Sequence, residues 1–523
     1  MPYEDSALRL PPAIFTIPAV AVAVGVAIPF GYLVLQAFQA DAEALSSLVW
    51  RARNAHLLLN TVLLAGGVLL VTTAIALPLA WLTTRTDIAY KRALTLLGVL
   101  PLAMPGYVLA YALLGLGGDH GLVAELTGVV APTIDGYLGA LTAISLYTFP
   151  YMFMNLRAAL RGLDPSLEEA AQSLGAPPKR VFIRVIIPQL APAYAAGALI
   201  ITLYVLGDFG AVSLMRFETF SYALFTQYAA AYDRVYAAWL ALMLLALTVT
   251  LLVLEYRALR GLSLHRTGTG SRRPAHPTAL GRWRYAAYAF AAAVAMCALV
   301  IPAGSVLVWF AQSSPAAALA DLAPALAASV TVSAPAAILA AALALPVTYL
   351  SVRHPSRMSR ALERMAYMGY ATPPLALALA LIVFTLAALP FLYQTLALVI
   401  LAYVLHFLAE ALGPVRSALY QASPRVEEAA RSLGCTHLGA FLRATLPLLR
   451  GGLVAATALV FLSAMKELPI TFLLAPPGFQ TLSMGVWSYT TEAMFAAAAP
   501  YALAILAFSS LFVTLLLKAE GRP

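Results

Sequence analysis

The sequence predicts an all-α polytopic membrane protein of about twelve transmembrane helices, arranged as two parallel six-helix repeats. Hydrophobic residues make up 62% of the chain and charged residues only 11%, against roughly 45–50% and about 25% in soluble domains. Uncharged runs recur along the whole length, and one polar segment is written twice in nearly the same words. EEAAQSLGAPPKRVFIRVIIP (168–188) returns as EEAARSLGCTHLGAFLRATLP (427–447).

The runs place the expected spans near 12–38, 57–83, 93–117, 137–156, 188–208, 235–256, 285–310, 326–351, 363–388, 392–412, 447–466 and 494–517. Each reaches about the 20 residues that a helix needs to cross a bilayer. Ala and Leu dominate them, and no ten-residue stretches of strict alternation occur, so a helical bundle is favoured over a β-barrel. Residues 468–491 carry Pro469, Pro476, Pro477 and Gly478 and read as an external loop or partly re-entrant segment. The first apolar run is longer than a signal-peptide core, lacks a small-residue cleavage site and is expected to be retained as an anchor.

The two cysteines, Cys297 in a span and Cys435 in a polar loop, make neither a disulfide framework nor a zinc spacing. The net charge of +9 does not point to nucleic acid once its placement is considered. Of the 32 Lys and Arg, 27 fall in the termini and alternate loops, the opposite loops hold Arg51, Arg53, Arg216 and Arg234, and Lys466 lies at a boundary. This is the positive-inside bias, and it predicts a multi-pass plasma-membrane protein with both termini cytoplasmic.

Repeats decide the architecture before motifs are read. LPLAWLTTR (77–85) matches LPVTYLSVR (345–353) at an offset of 268, and Glu169 and Pro188 match Glu428 and Pro447 at 259. The expected organisation is a first repeat at 1–257, a cytoplasmic linker at 258–284 rich in Arg, Gly, Ser, Thr and Pro, and a second repeat at 285–523. Six crossings per repeat give both the same orientation, with a pseudo-two-fold axis along the membrane normal and a pathway between them.

Within the doubled segments (164–188 and 423–447), Asp164-Pro165 and Ser423-Pro424 are helix starts: a capping residue followed by Pro at the first helical position. Leu167, Ala170, Ala171 and Leu174 share one helix face, as do Val426, Ala429, Ala430 and Leu433. Gly175 and Gly434 stand where a left-handed turn ends a helix, and a second short helix is expected to run to Pro188 and Pro447. Such a helix, presenting small residues and Glu to a partner, suits docking into a groove. Two copies in a two-fold repeat suit a two-fold partner.

EAA, then three residues, Gly, nine residues and an apolar pair before Pro resembles the cytoplasmic signature of permease subunits in ATP-binding-cassette importers. Glu169, Ala170, Ala171, Gly175, Ile187 and Pro188 carry it in the first copy; Glu428, Ala429, Ala430, Gly434, Leu446 and Pro447 carry it in the second, where Ala444 departs from the pattern. Glu168 and Glu427 stand directly before the two EAA triplets and belong to the same coupling set. The resemblance implies the type I importer permease fold, with these residues coupling the chain to a homodimeric ATPase subunit. It also implies a periplasmic or lipid-anchored substrate-binding protein and ATP-driven alternating access. The chain has no GxxxxGK[ST] phosphate loop, so ATP and Mg belong to the partner ATPase, and no cofactor is expected on this chain.

LGDFGAVSLMRFETFSYALFTQY (206–228) looks like the ferric-iron group of fused two-repeat permeases, with thiamine or another small solute as the alternative cargo. Asp208 and Glu467 are equivalent at the 259 offset and are expected at the outer ends of their helices. Carboxylates in or near spans are costly and usually functional, and oxygen donors suit a hard cation. Asp208, Glu467 and Lys466 are therefore the candidate translocation residues, against the plainer reading that Lys466 neutralises a carboxylate or that both carboxylates reach water. No metal site is assigned. The seven histidines show no ligand spacing; His406, within a span, is expected to be packed, and Tyr147, Tyr204, Tyr222 and Tyr228 to serve packing or interfacial anchoring. No H-E-x-x-H or G-x-S-x-G motif supports an intramembrane enzyme, and the doubled segment argues against an ion-coupled secondary transporter.

Overall fold

A computed structural model describes residues 12–39, 46–47, 49–229, 233–259, 277–313 and 315–520. Both chain ends and most of the expected linker lie outside the described residues. Helices account for nearly all regular structure, and the described β pairing is an isolated bridge between Thr86 and Thr278.

In chain order the helices that matter are α1 (Ala13–Ala37), α2 (Ala52–Arg85), α3 (Lys91–Ala103), α4 (Gly106–Leu114), α5 (Gly136–Gly162), α6 (Pro165–Ser173), α7 (Pro178–Gly207), α8 (Gly210–Leu214), α9 (Phe220–Ala229) and α10 (Arg234–Leu259). The rest are α11 (Trp283–Gln312), α12 (Ala320–Arg353), α13 (Arg357–Ala371), α14 (Pro374–Ala388), α15 (Leu396–Gln421), α16 (Pro424–Ser432), α17 (His437–Met465), α18 (Pro469–Leu474), α19 (Leu482–Thr491) and α20 (Phe495–Glu520). Among the described residues, eight helices are long and apolar enough to cross a membrane, or ten when α3 with α4 and α13 with α14 each count as one bent span. The two remaining expected spans, 137–156 and 494–517, are helical in α5 and α20.

The bends have a local cause. The axis turns by 91° between α3 and α4 and by 106° between α13 and α14. Pro105 stands at the first break and Pro373-Pro374 at the second. Proline removes an amide donor and pushes its predecessor out of the helical region.

The chain divides into two compact units that do not follow the sequence repeats. Unit 1 holds Met1–Val49, Leu224–Leu242 and Leu319–Gly485; unit 2 holds Trp50–Ala223, Met243–Ala318 and Val486–Pro523. The first span of each repeat thus belongs to the unit built mainly from the other repeat.

In unit 1, α1 packs on α13 and α14, and α15 packs along α17. Phe15, Ala19, Val22, Val26 and Leu33 form the buried stripe of α1, while Ile17, Val24 and Leu35 on other faces are exposed. That is the pattern of a helix with protein on one side and lipid on the other. Lipid tails are as apolar as the side chains, so close packing rather than the hydrophobic effect holds such helices together, and small residues let them approach. Ala336, Ala337, Ala340, Ala341 and Ala344 of α12 are accordingly buried in the core. At Gly369 an added Cβ would lie 2.2 Å from the Leu405 carbonyl, so α13 rests directly on α15.

In unit 2, α2 and α7 pack against α5, α4 against α5 and α11, and α11 against α20. Polar side chains tie these contacts through backbone carbonyls: Ser305 Oγ donates to Ala112 O at 3.1 Å, and Tyr111 Oη to Phe495 O at 3.0 Å. Thr278, within the expected linker, clips onto the α2–α3 turn, donating to Arg85 O at 2.8 Å and accepting from the Asp87 amide at 3.2 Å.

Candidate functional site

Both doubled segments fold as short helices. Asp164 caps α6 by accepting from the Ser166 amide at 3.0 Å, which lowers its carboxyl below the usual range; Ser423 makes no side-chain cap on α16. Gly175 and Gly434 end these helices with φ of +82° and +89°. There the Ala176 amide reaches back to Ala171 O and the Cys435 amide to Ala430 O, each at 3.1 Å, as a left-handed C-terminal turn requires. The second short helix does not stop at Pro188 or Pro447. In each copy it passes through a wide turn, Phe182–Ile186 or Phe441–Thr445, and continues as the following span.

The tips of these segments carry apolar residues with nothing packed on them: Leu174 is 89% exposed and Leu433 86%. Glu169 and Glu428 also face outward. Their neighbours do not. Arg85 Nη1 stands 3.0 Å from Glu168 Oε1, and Glu427 accepts from Tyr349 Oη at 2.5 Å and Thr445 Oγ1 at 3.2 Å. The two carboxylates of each pair are thus used differently: Glu168 and Glu427 tie the helix to its own bundle, while Glu169 and Glu428 are exposed. Burial holds the Glu168 carboxyl above the usual range, against the pull of Arg85.

Arg85 and Arg353, equivalent at the 268 offset, differ in use. Arg85 also donates to Leu160 O at 3.0 Å, whereas Arg353 donates to Leu419 O at 3.3 Å and Ala422 O at 2.5 Å. Both pin the end of the helix that leads into the doubled segment.

Asp208 and Glu467 prove to be N-caps of half-helices rather than free helix ends in water. Asp208 Oδ1 accepts from the Ala211 and Val212 amides of α8 at 2.9 and 3.2 Å. Glu467, buried, divides the same task between its oxygens, taking the Ile470 amide of α18 at 2.7 Å and the Thr471 amide at 3.0 Å. A matching clasp stabilises each cap within its own unit. Ser221 Oγ donates to Asp208 O at 2.5 Å and Ser483 Oγ to Glu467 O at 2.6 Å, while Thr61 and Ser329 receive the Phe220 and Leu482 amides at 3.2 and 2.9 Å. The segment 468–491, expected as an external loop or partly re-entrant segment, is largely helical, in α18 and α19. Pro469 at the first turn of α18 and the carboxylate two residues before it were the sequence signal for this cap.

Lys466 has Glu410 as its carboxylate neighbour in unit 1, and Glu410 in turn contacts Ser463 and Tyr370. The sequence reading missed Glu410, although a carboxylate inside the run 392–412 was a visible signal. His406 is packed as expected, with Nδ1 3.0 Å from Gly369 O and its ring stacked on Tyr370. Among the described residues no three His, Cys, Asp or Glu side chains gather to hold a metal ion.

The family model for the binding-protein-dependent transport system inner membrane component matches this chain twice, over residues 76–262 and 333–519. The Fe(3+)-transport system permease protein FbpB 2 of Haemophilus influenzae is 31% identical over 98% of this chain and 99% of its own length. Shorter relatives match over about a quarter of the chain. The molybdenum transport system permease protein ModB of Escherichia coli is 36% identical over 25% of this chain and 58% of its own length, and the sulfate transport system permease protein CysT of the same organism is 33% identical over 26% and 49%. The doubled match, the helical spans and the full-length relative together establish that this chain is a multi-pass membrane protein belonging to the binding-protein-dependent transport permeases, with two copies of the family domain fused in one polypeptide.

Proposed function

We propose that this chain is the permease of an ATP-driven importer that takes ferric iron from an external binding protein and delivers it to the cytoplasm by alternating access. Similarity to a Fe(3+)-transport permease from end to end is the observation that supports the cargo most directly. The sulfate and molybdenum relatives cover about half of their own lengths and share the machine rather than its fused form.

The paired helices α6 and α16, with exposed Leu174 and Leu433 at their tips, suit two equivalent grooves on a homodimeric ATPase. The charge bias of the loops supports a topology with these segments and both termini in the cytoplasm. ATP and Mg act on that separate subunit. They drive transport only through the difference in how tightly the permease conformations hold the closed ATPase dimer.

The test is uptake of labelled Fe(III) by proteoliposomes holding this chain, its ATPase and its binding protein, with and without internal ATP, and with thiamine, sulfate and molybdate in parallel. ATP-dependent iron accumulation is expected. Accumulation of another solute instead would retain the machine and discard the cargo. Glu169→Arg combined with Glu428→Arg is expected to leave the protein inserted and to abolish ATP-dependent uptake, and undiminished uptake would refute the coupling role.

A further inference from the structure

Unit 2 gathers a set of phenols that neither the helix caps nor the coupling segments use. Tyr147, Tyr151 and Asn155 recur every fourth residue along the middle and later part of α5, and Tyr204 and Asp208 lie four apart at the end of α7. Residues four apart share a helix face, and these two faces meet. Tyr151 Oη and Tyr204 Oη are 2.7 Å apart, with their rings stacked at 4.9 Å. Tyr147 Oη donates to Asp208 Oδ2 at 3.4 Å, and its ring meets that of Tyr204 edge-on at 6.1 Å.

The two carboxylate oxygens of Asp208 have separate duties. Oδ1 holds the α8 amides, while Oδ2 is turned toward the phenols. Gly106 lines the same place: a Cβ there would come within 3.0 Å of Oδ2 and 2.6 Å of the Tyr147 ring, so glycine keeps the carboxylate approachable. Tyr151, Tyr204 and Asp208 are only partly buried, so the cluster is not sealed inside the unit.

The second repeat shows that the fold does not need these phenols. At the 259 offset, Tyr147, Tyr151, Tyr204 and Asp208 correspond to His406, Glu410, Ser463 and Glu467. The same helices and the same capped half-helix form there with one acidic residue retained and every phenol replaced. Phenols do meet the carboxylates of the second repeat, Tyr370 at Glu410 and Tyr403 at Glu467, but they stand at other positions; the stacked Tyr151–Tyr204 pair beside the capping carboxylate belongs to the first repeat.

Resting on the ferric-iron reading above, we propose that Tyr151, Tyr204 and Asp208, assisted by Tyr147, form a transit site for a hard trivalent cation. Such a cation prefers oxygen donors. Binding replaces the protons of two phenols, so that Fe³⁺ plus two Tyr-OH and one Asp carboxylate gives a neutral bis-phenolate carboxylate complex and two released protons. Neutrality matters inside a membrane, where an uncompensated charge is expensive. The empty site carries a single carboxylate, already hydrogen-bonded; the loaded site carries none in excess. A divalent cation leaves the same three ligands with surplus negative charge and competes less well with the phenol protons, and an oxyanion is repelled by Asp208.

The measurement is visible absorption of the permease–ATPase complex in lipid nanodiscs, without binding protein, titrated with Fe(III) citrate. A phenolate-to-iron charge-transfer band is expected. It is lost in Tyr151→Phe with Tyr204→Phe and kept in Tyr285→Phe, whose ring is 71% exposed elsewhere in unit 2. In proteoliposomes the double variant, which keeps both rings, is expected to lose at least about tenfold of ATP-dependent iron uptake while binding-protein-stimulated ATPase activity persists. Tyr204→Ser, the residue the second repeat uses, is expected to lose uptake as well while keeping binding-protein-stimulated ATPase activity, which separates the loss from misfolding. Wild-type iron import accompanied by full import in the phenol variants, or by a band that survives them, overturns the site alone. A wild-type complex that imports no iron overturns the ferric reading and the site together.

Discussion

At the scale of single residues, Asp208 shows how one carboxylate serves structure and chemistry with different atoms. Oδ1 caps α8 through two amides and Oδ2 faces Tyr147. Substitutions separate the two. Asp208→Asn keeps an acceptor for the amides and is expected to melt like the parent but to lose most iron uptake with the charge. Asp208→Ala removes the cap as well and is expected to cost about 1–2 kcal/mol of stability, the usual range for losing a helix cap. Thermal unfolding read beside uptake distinguishes these outcomes, and full uptake by the Asn variant would reduce Asp208 to a cap. The cap was legible in the string DFG followed by an apolar run. The second duty was not, because it depends on which turn of α5 comes opposite.

Among the elements, close approach of helices is the controlling quantity. At Gly452 of α17 an added Cβ would stand 2.5 Å from Ala418 Cβ and 2.8 Å from Pro414 O, so α15 and α17 touch with no room for a side chain. Gly452→Leu is expected to destabilise unit 1 by roughly 1–3 kcal/mol, the common cost of overpacking, and to lower uptake in step with the folded fraction measured by unfolding in detergent. The same pair of helices leads into the second doubled segment, where Arg353 pins the end of α15 through Leu419 O and Ala422 O. In the first copy Arg85 adds an ion pair to Glu168, while in the second Tyr349 and Thr445 hold Glu427. Two chemistries thus secure one mechanical joint. The helical face of the doubled segment was readable from spacing, but the inward turn of its first glutamate was not, since the Arg85 and Tyr349 that hold it lie more than seventy residues away.

For the whole molecule, the exchange of first spans sets what can fold alone. The buried stripe of α1 belongs with α13 and α14, and α11 belongs with α4 and α20. Residues 1–257 expressed alone leave α1 without its partners and unit 2 without α11, so that fragment is expected to be unstable. Cutting the chain within residues 260–276, which the sequence reads as a polar linker, is expected to be tolerated. Co-expressed fragments 1–268 and 269–523 are expected to co-purify and to restore uptake. A first fragment that is monomeric and stable by itself would show that the exchange is dispensable.

The sequence by itself determined the membrane class, the spans, the internal duplication and the two docking helices with their glycine stops. Each of these is written in local composition or in a pattern repeated along the chain, which survives whatever the helices later pack against. Only the tertiary structure decided that Glu168 and Glu427 turn inward, that Glu410 meets Lys466, and that three phenols in one repeat converge on a carboxylate. These depend on the rotation and depth at which helices distant in sequence meet. An apolar helix fixes neither by its own pattern, because a membrane span is hydrophobic on every side and its sequence does not mark which face finds protein and which finds lipid.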